Sequence, residues 1–99
     1  MKFHTIKSFD EDLFHFIRNN KKRFIITRYD KAEWKSNDLF LLEKVDNSYK
    51  SLNDFFICKV NCVEFFETVI EEDEEVEEII IGFEILFDPM NQNENIKKR

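Results

Sequence analysis

A small α+β domain, one helix set against a mostly antiparallel, barrel-like sheet of about five strands, is the fold this chain predicts. Three observations predict it. A single helical stretch, opened by a capping pattern, follows one short strand. Four further β-branched and aromatic stretches then come in succession, which is not the strand–helix alternation of a doubly wound sheet. Twelve Phe residues among 99 supply an aromatic core, since each ring can bury about 150–250 Å². A chain of this length makes one domain, expected over residues 1–88, with a polar, frayed tail over 89–99.

The elements follow in order. Residues 2–7 partly alternate and read as the first strand. Ser8 and Glu11 form an S-x-x-E box, in which hydroxyl and carboxylate each satisfy a backbone N–H at a helix start, and Asp10, Glu11 and Asp12 suit the positive end of the helix dipole. Phe9, Leu13, Phe16 and Ile17 come at helical spacing and predict the inward face. Asn19-Asn20 ends the helix, because Asn tolerates the left-handed conformation. Phe24–Tyr29 and Asp38–Val45 read as strands, separated by a polar connection that holds Trp34. Asp46-Asn47-Ser48 is turn chemistry. Asp54–Phe66 predicts a long, bent strand with Cys58, Val60 and Cys62 on one side. Glu71–Glu75 predicts a solvated loop, since like charges four apart disfavour a helix. Ile79–Phe87, apolar on both faces, predicts a central final strand, stopped by Asp88-Pro89.

Composition excludes several function classes. With one Gly and one Pro, neither a phosphate-cradling loop nor a dinucleotide fingerprint can be written. The net charge of −6 argues against whole-surface nucleic-acid binding, which Lys and Arg carry, but permits a local basic groove. No stretch approaches ~18 apolar residues, so no membrane span is expected. The first residues lack an apolar signal region, and a cytoplasmic location is expected. Cys58 and Cys62, on one strand, would lie roughly 13 Å apart, too far for a disulfide with each other. They read as reduced core thiols, with no metal and no cofactor expected.

The charges are sorted along the chain. Arg18, Lys21, Lys22, Arg23, Arg28, Lys31 and Lys35 cluster early, whereas no basic residue occurs between Lys59 and Lys97. That later stretch holds Glu71, Glu72, Asp73, Glu74, Glu75, Glu77 and Glu78.

Scattered positions carry a family resemblance. His4-Thr5-Ile6-Lys7, a helix, Asn20-Lys21-Lys22, Phe24 and Ile26, Asp30-Lys31, Asn37-Asp38, Leu39 and Leu41, Glu43, Val60 and Ile81-Gly82-Phe83 fall in an order that resembles the small ASCH-domain proteins. These belong to the PUA-like group and include short phage and bacterial members of unknown function. The resemblance covers residues 4–86 and implies a PUA-like barrel. The family's G-x-K-x-x-E-x-R stretch would fall on Asn20–Thr27. Lys22 is retained, but Asn20 replaces the Gly, Ile25 the acid and Thr27 the Arg, with Arg28 one place late. One branch is similar to acetylcytidine amidohydrolases, with a Thr nucleophile beside a Lys. That Thr position is Arg23, whose guanidinium stays protonated and cannot be a nucleophile, and Thr27 has no base placed beside it by the sequence. No catalytic residue is therefore expected.

If the resemblance holds, His4, Lys7, Lys22, Arg28, Lys31 and Trp34 line a cleft at the barrel opening, where aromatic and cationic groups stack and neutralise RNA or a nucleotide. The acidic residues, Glu71–Glu75 with Glu77 and Glu78, have a bland reading as a solvated loop. The sharper alternative is a mimic of a phosphate backbone, which makes the protein a phage-type, anti-defence inhibitor of a host nucleic-acid-binding protein. A small amidohydrolase acting on a modified nucleoside is the second alternative.

Overall fold

The computed structural model describes residues 1–19, 23–29 and 33–91. Five strands and one α-helix follow in the order β1 (Phe3–Ser8), α1 (Glu11–Arg18), β2 (Phe24–Arg28), β3 (Leu39–Val45), β4 (Ser51–Glu71) and β5 (Glu74–Phe87), with a final 3-10 turn over Pro89–Asn91. The strands form one mixed sheet in the order β1-β3-β4-β5-β2. β1 runs parallel to β3, and every other pair is antiparallel. The fold is thus the expected α+β arrangement of five strands with one helix after the first. The sheet is open, however, with β1 and β2 at its two edges.

The helix begins two residues later than the sequence suggests. Ser8 is held in β1 opposite Lys44, so it cannot also cap α1. Asp10 caps instead and accepts from the Leu13 backbone N–H at 3.2 Å, while the Ser8 hydroxyl accepts from Asp10 N–H. The later start rotates the inward face: Phe14 and Ile17 are buried, and Phe9 and Phe16 are exposed. Asn19 ends the helix with φ −91°, outside the left-handed region, and its backbone N–H donates to the His15 carbonyl at 3.1 Å.

Phe14 and Ile17 pack on Ile25 of β2, Phe40 and Leu42 of β3, Phe56, Cys58 and Val60 of β4, and Ile79, Ile81 and Phe83 of β5. These positions alternate along each strand, as one covered sheet face requires. A register irregularity between Val60 and Cys62 interrupts the alternation on β4. It passes the inward role to Val63, which packs against the core, and turns Cys62 outward. Cys62 therefore does not share the side of Cys58 and Val60. It lies opposite Gly82, where an added Cβ would stand 2.7 Å from its Sγ.

The segment expected to be an acidic loop is mostly sheet. β4 extends to Glu71, β5 starts at Glu74, and only Glu72 and Asp73 form the turn. Both have positive φ, 48° and 64°, the sign pattern of a type I′ hairpin turn, whose twist matches the flanking strands. β4 and β5 project beyond the rest of the sheet, because β3 pairs with β4 only as far as Lys59 and β2 with β5 only as far as Glu78. The resulting ribbon lengthens the molecule to 52 Å against 31 and 23 Å in the other directions. Among the described residues no helix is long and apolar enough to cross a membrane. The expected tail falls on Pro89–Asn91, which form the 3-10 turn, and on residues 92–99, outside the described residues.

Candidate functional site

Asp38 stands at the head of β3 and is 3 % exposed. Its carboxylate accepts from three directions: Lys2 N–H at 2.9 Å, Lys35 N–H at 3.0 Å and the His4 ring at 2.9 Å. Burial works against its charge, but the hydrogen bonds from His4, Lys2 and Lys35 outweigh that and bring the carboxyl down to about 2. An ionised carboxylate only accepts, so His4 presents a protonated Nε2 to it. Asn37, just before, has φ 75°, a left-handed conformation that Asn tolerates better than most residues. This bend lets Asn37 N–H donate to Val60 O while Asp38 O accepts from Val60 N–H, both at 2.8 Å.

Trp34 stacks on the His4 ring, with centroids 3.8 Å apart and planes 13° apart, and meets Phe40 edge to face. Phe40 in turn meets Phe83. The structure thus joins His4 and Trp34, two of the predicted ligand residues, through a partly buried stack rooted in the core. Lys7 shares β1 with His4 but lies three positions on, on the opposite, exposed face. Arg28 lies on β2 at the far edge of the sheet, ion-paired with Glu71. Lys22 and Lys31 lie outside the described residues.

The acidic residues gather along the ribbon. Cross-strand partners share a face, so Glu78 lies beside Glu67, and Glu74 beside Glu71. Glu75 and Glu77 take the other face, opposite Ile70 and Thr68, and Glu72 and Asp73 form the tip. Arg28 is opposite Glu78, on the same face as Glu67, Glu71 and Glu74. The basic and acidic stretches of the sequence therefore meet at one point.

Two structural roles were not legible beforehand. Arg18 makes paired hydrogen bonds to Asp54, at 2.6 and 3.2 Å, and to Asp88, both at 3.1 Å. Its guanidinium also lies 4.7 Å over the Phe56 ring. Burial opposes its charge, yet the two carboxylates raise its pKa above the usual value. The second is Arg23, which donates to the Ile17 carbonyl at 2.6 Å and so satisfies the C-terminal turn of α1. Asn37, a residue type that tolerates the left-handed backbone, is a local signal for the bend before the carboxylate hub.

An open groove of about 680 Å³ runs beside α1, lined by Glu11, His15, Arg18, Lys44 and Asp54 among others. Both of its cationic side chains already pair within it, Lys44 with Glu11 and Arg18 with Asp54. Burial pushes the Cys58 thiol up to about 12, against a smaller opposing effect of Arg23, which keeps it neutral and unreactive. Among the described residues no three His, Cys, Asp or Glu side chains converge to hold a metal. Compared with protein-family models, curated proteins and solved structures, the chain matches none.

Proposed function

We propose that this protein is a non-catalytic, ASCH/PUA-like binding module of a phage or mobile element that takes RNA or a nucleotide beside the Trp34–His4 stack. The observation that carries this reading is the His4–Asp38 hydrogen bond. It joins two positions on which the resemblance rests, 34 residues apart, and the left-handed Asn37 that leads into Asp38 is another of them. The strand order also fits. β1 and β2 run antiparallel to one another at opposite edges, an arrangement compatible with the barrel that the resemblance implies. Hydrolysis is disfavoured, because Arg23 occupies the nucleophile position and serves the helix end.

Trp34 is the only Trp, so its fluorescence reports directly on the stack. Titration with a short single-stranded RNA and with nucleoside monophosphates is expected to quench it saturably. Replacing Lys22 and Lys31 with Ala is expected to weaken RNA binding at least fivefold. Unchanged fluorescence and unchanged amide spectra up to millimolar ligand would rule the reading out.

The ribbon favours a second reading, in which its carboxylates enter the basic nucleic-acid groove of a host protein and inhibit it. Electrostatic complementarity of this kind raises association rates and selects partners. Affinity capture with the natural chain and with a Glu72→Gln, Asp73→Asn, Glu74→Gln, Glu75→Gln variant separates the readings. Selective loss of a nucleic-acid-binding protein from the variant supports the second, and equal capture removes it.

A further inference from the structure

Past Lys59, β4 loses β3 as a neighbour. Asn37 and Asp38 take up the Val60 backbone groups, and the Ser36 hydroxyl donates to the Asn61 carbonyl at 2.9 Å. From Cys62 to Glu71 no described strand flanks that side of β4, while its other side is bonded to β5. Ten residues of edge span about 33 Å.

An unpaired edge is a template for another strand, and proteins usually blunt it. Here the edge carries charge of one sign, Glu64, Glu67 and Glu71. Among the described residues only Glu71 of these has a basic partner, Arg28. Between the carboxylates stand Phe65 and Ile70, 62 % and 76 % exposed. Acid of one sign beside open apolar side chains repels a second copy, whose net charge is also −6. The same pattern complements an extended segment in which Lys or Arg alternates with apolar residues.

We infer that the β4 edge from Cys62 to Glu71 docks a basic, extended segment of a partner protein, which adds to the sheet as a sixth strand. Main-chain hydrogen bonds supply affinity, and Glu64, Glu67, Phe65 and Ile70 supply selectivity, as in other strand-addition complexes. The inference rests on the second reading above only in treating the ribbon as a protein contact.

The full chain is titrated with a blocked heptapeptide of alternating Lys and Val, followed by amide spectra and hydrogen exchange. A second peptide of the same sequence is N-methylated along one edge, which keeps its charge and removes its strand donors. The first is expected to bind saturably and slow exchange over residues 62–71. The N-methylated peptide is expected to bind at least tenfold more weakly, and a Glu64→Gln, Glu67→Gln variant at least fivefold more weakly. Equal binding of both peptides overturns strand addition and leaves a carboxylate contact standing. Binding of neither overturns both. Protection of 62–71 that grows with protein concentration alone means that a second copy covers the edge, and also overturns the inference.

Discussion

Asp38 shows how one side chain can organise a segment. Its carboxylate gathers the first residues of the chain, the Trp34 connection and the head of β3, because three donors converge on two oxygens. A buried carboxylate is costly unless its hydrogen bonds are made, and here they favour the charged form. The folded value of about 2 lies below the ordinary 3.8, so the unfolded chain takes up this proton first. Asp38 therefore contributes stability that is fully present above pH 4 and is lost as pH falls from about 4 to about 2. Asp38→Asn is expected to lower stability at pH 6 by about 1–3 kcal/mol. It is also expected to flatten the difference between wild type and variant across that acid window, measured as urea midpoints from pH 6 to pH 2. A wild type and variant that fall in parallel between pH 4 and 2 would show that Asp38 is not held ionised.

The element that depends most on one residue is α1. It contributes Phe14 and Ile17 to the core, but Arg18 fastens its C-terminal end to β4 and to the residue after β5 through Asp54 and Asp88. Removing one member of a partly buried ion cluster leaves like charges facing one another. Arg18→Ala is expected to cost about 3–5 kcal/mol, whereas Lys44→Ala, whose partner Glu11 is exposed, is expected to cost under about 1 kcal/mol. Thermal or urea unfolding of the two variants checks the contrast. The elements themselves were largely legible in the sequence, because β-branched and aromatic runs and turn residues are local signals. What escaped was non-local. The pairing of Ser8 with Lys44 moved the helix start, and with it Phe9 and Phe16 to the surface. The acidic run is strand because Ile79, Ile80 and Ile81 hold β5 in register with β4, outweighing the repulsion between Glu71 and Glu74. For the candidate site, the sequence brought His4 and Trp34 to notice. It could not show that they would face each other, since that depends on Asp38 closing a separation of 34 residues.

At the scale of the molecule, the charge asymmetry has become a shape. The compact end holds the core, and the projecting ribbon holds nine of the 21 carboxylates, Glu64 to Glu78, with Arg28 among them. Glu67 opposite Glu78 and Glu71 opposite Glu74 oppose the pairing they sit in, so the ribbon is expected to open more readily than the rest of the sheet. Raising salt from 10 to 500 mM, which shortens the screening length from about 30 Å to a few ångströms, is expected to slow amide exchange over residues 67–78 about threefold while leaving Phe56–Val60 unchanged. Faster exchange in high salt would mean that the Arg28–Glu71 attraction governs the ribbon instead. The strand order also bears on how the chain comes into being. β1 and β2 leave the ribosome before the other strands of the sheet, yet each waits for a partner made later, β1 for β3 and β2 for β5. The sheet cannot grow from its first strand outward. Its two borders are synthesised before its middle, and β2 stays without a mate until Glu78 has emerged. Nascent chains stalled before that residue should expose an unmatched strand, the state in which a chaperone would meet this protein.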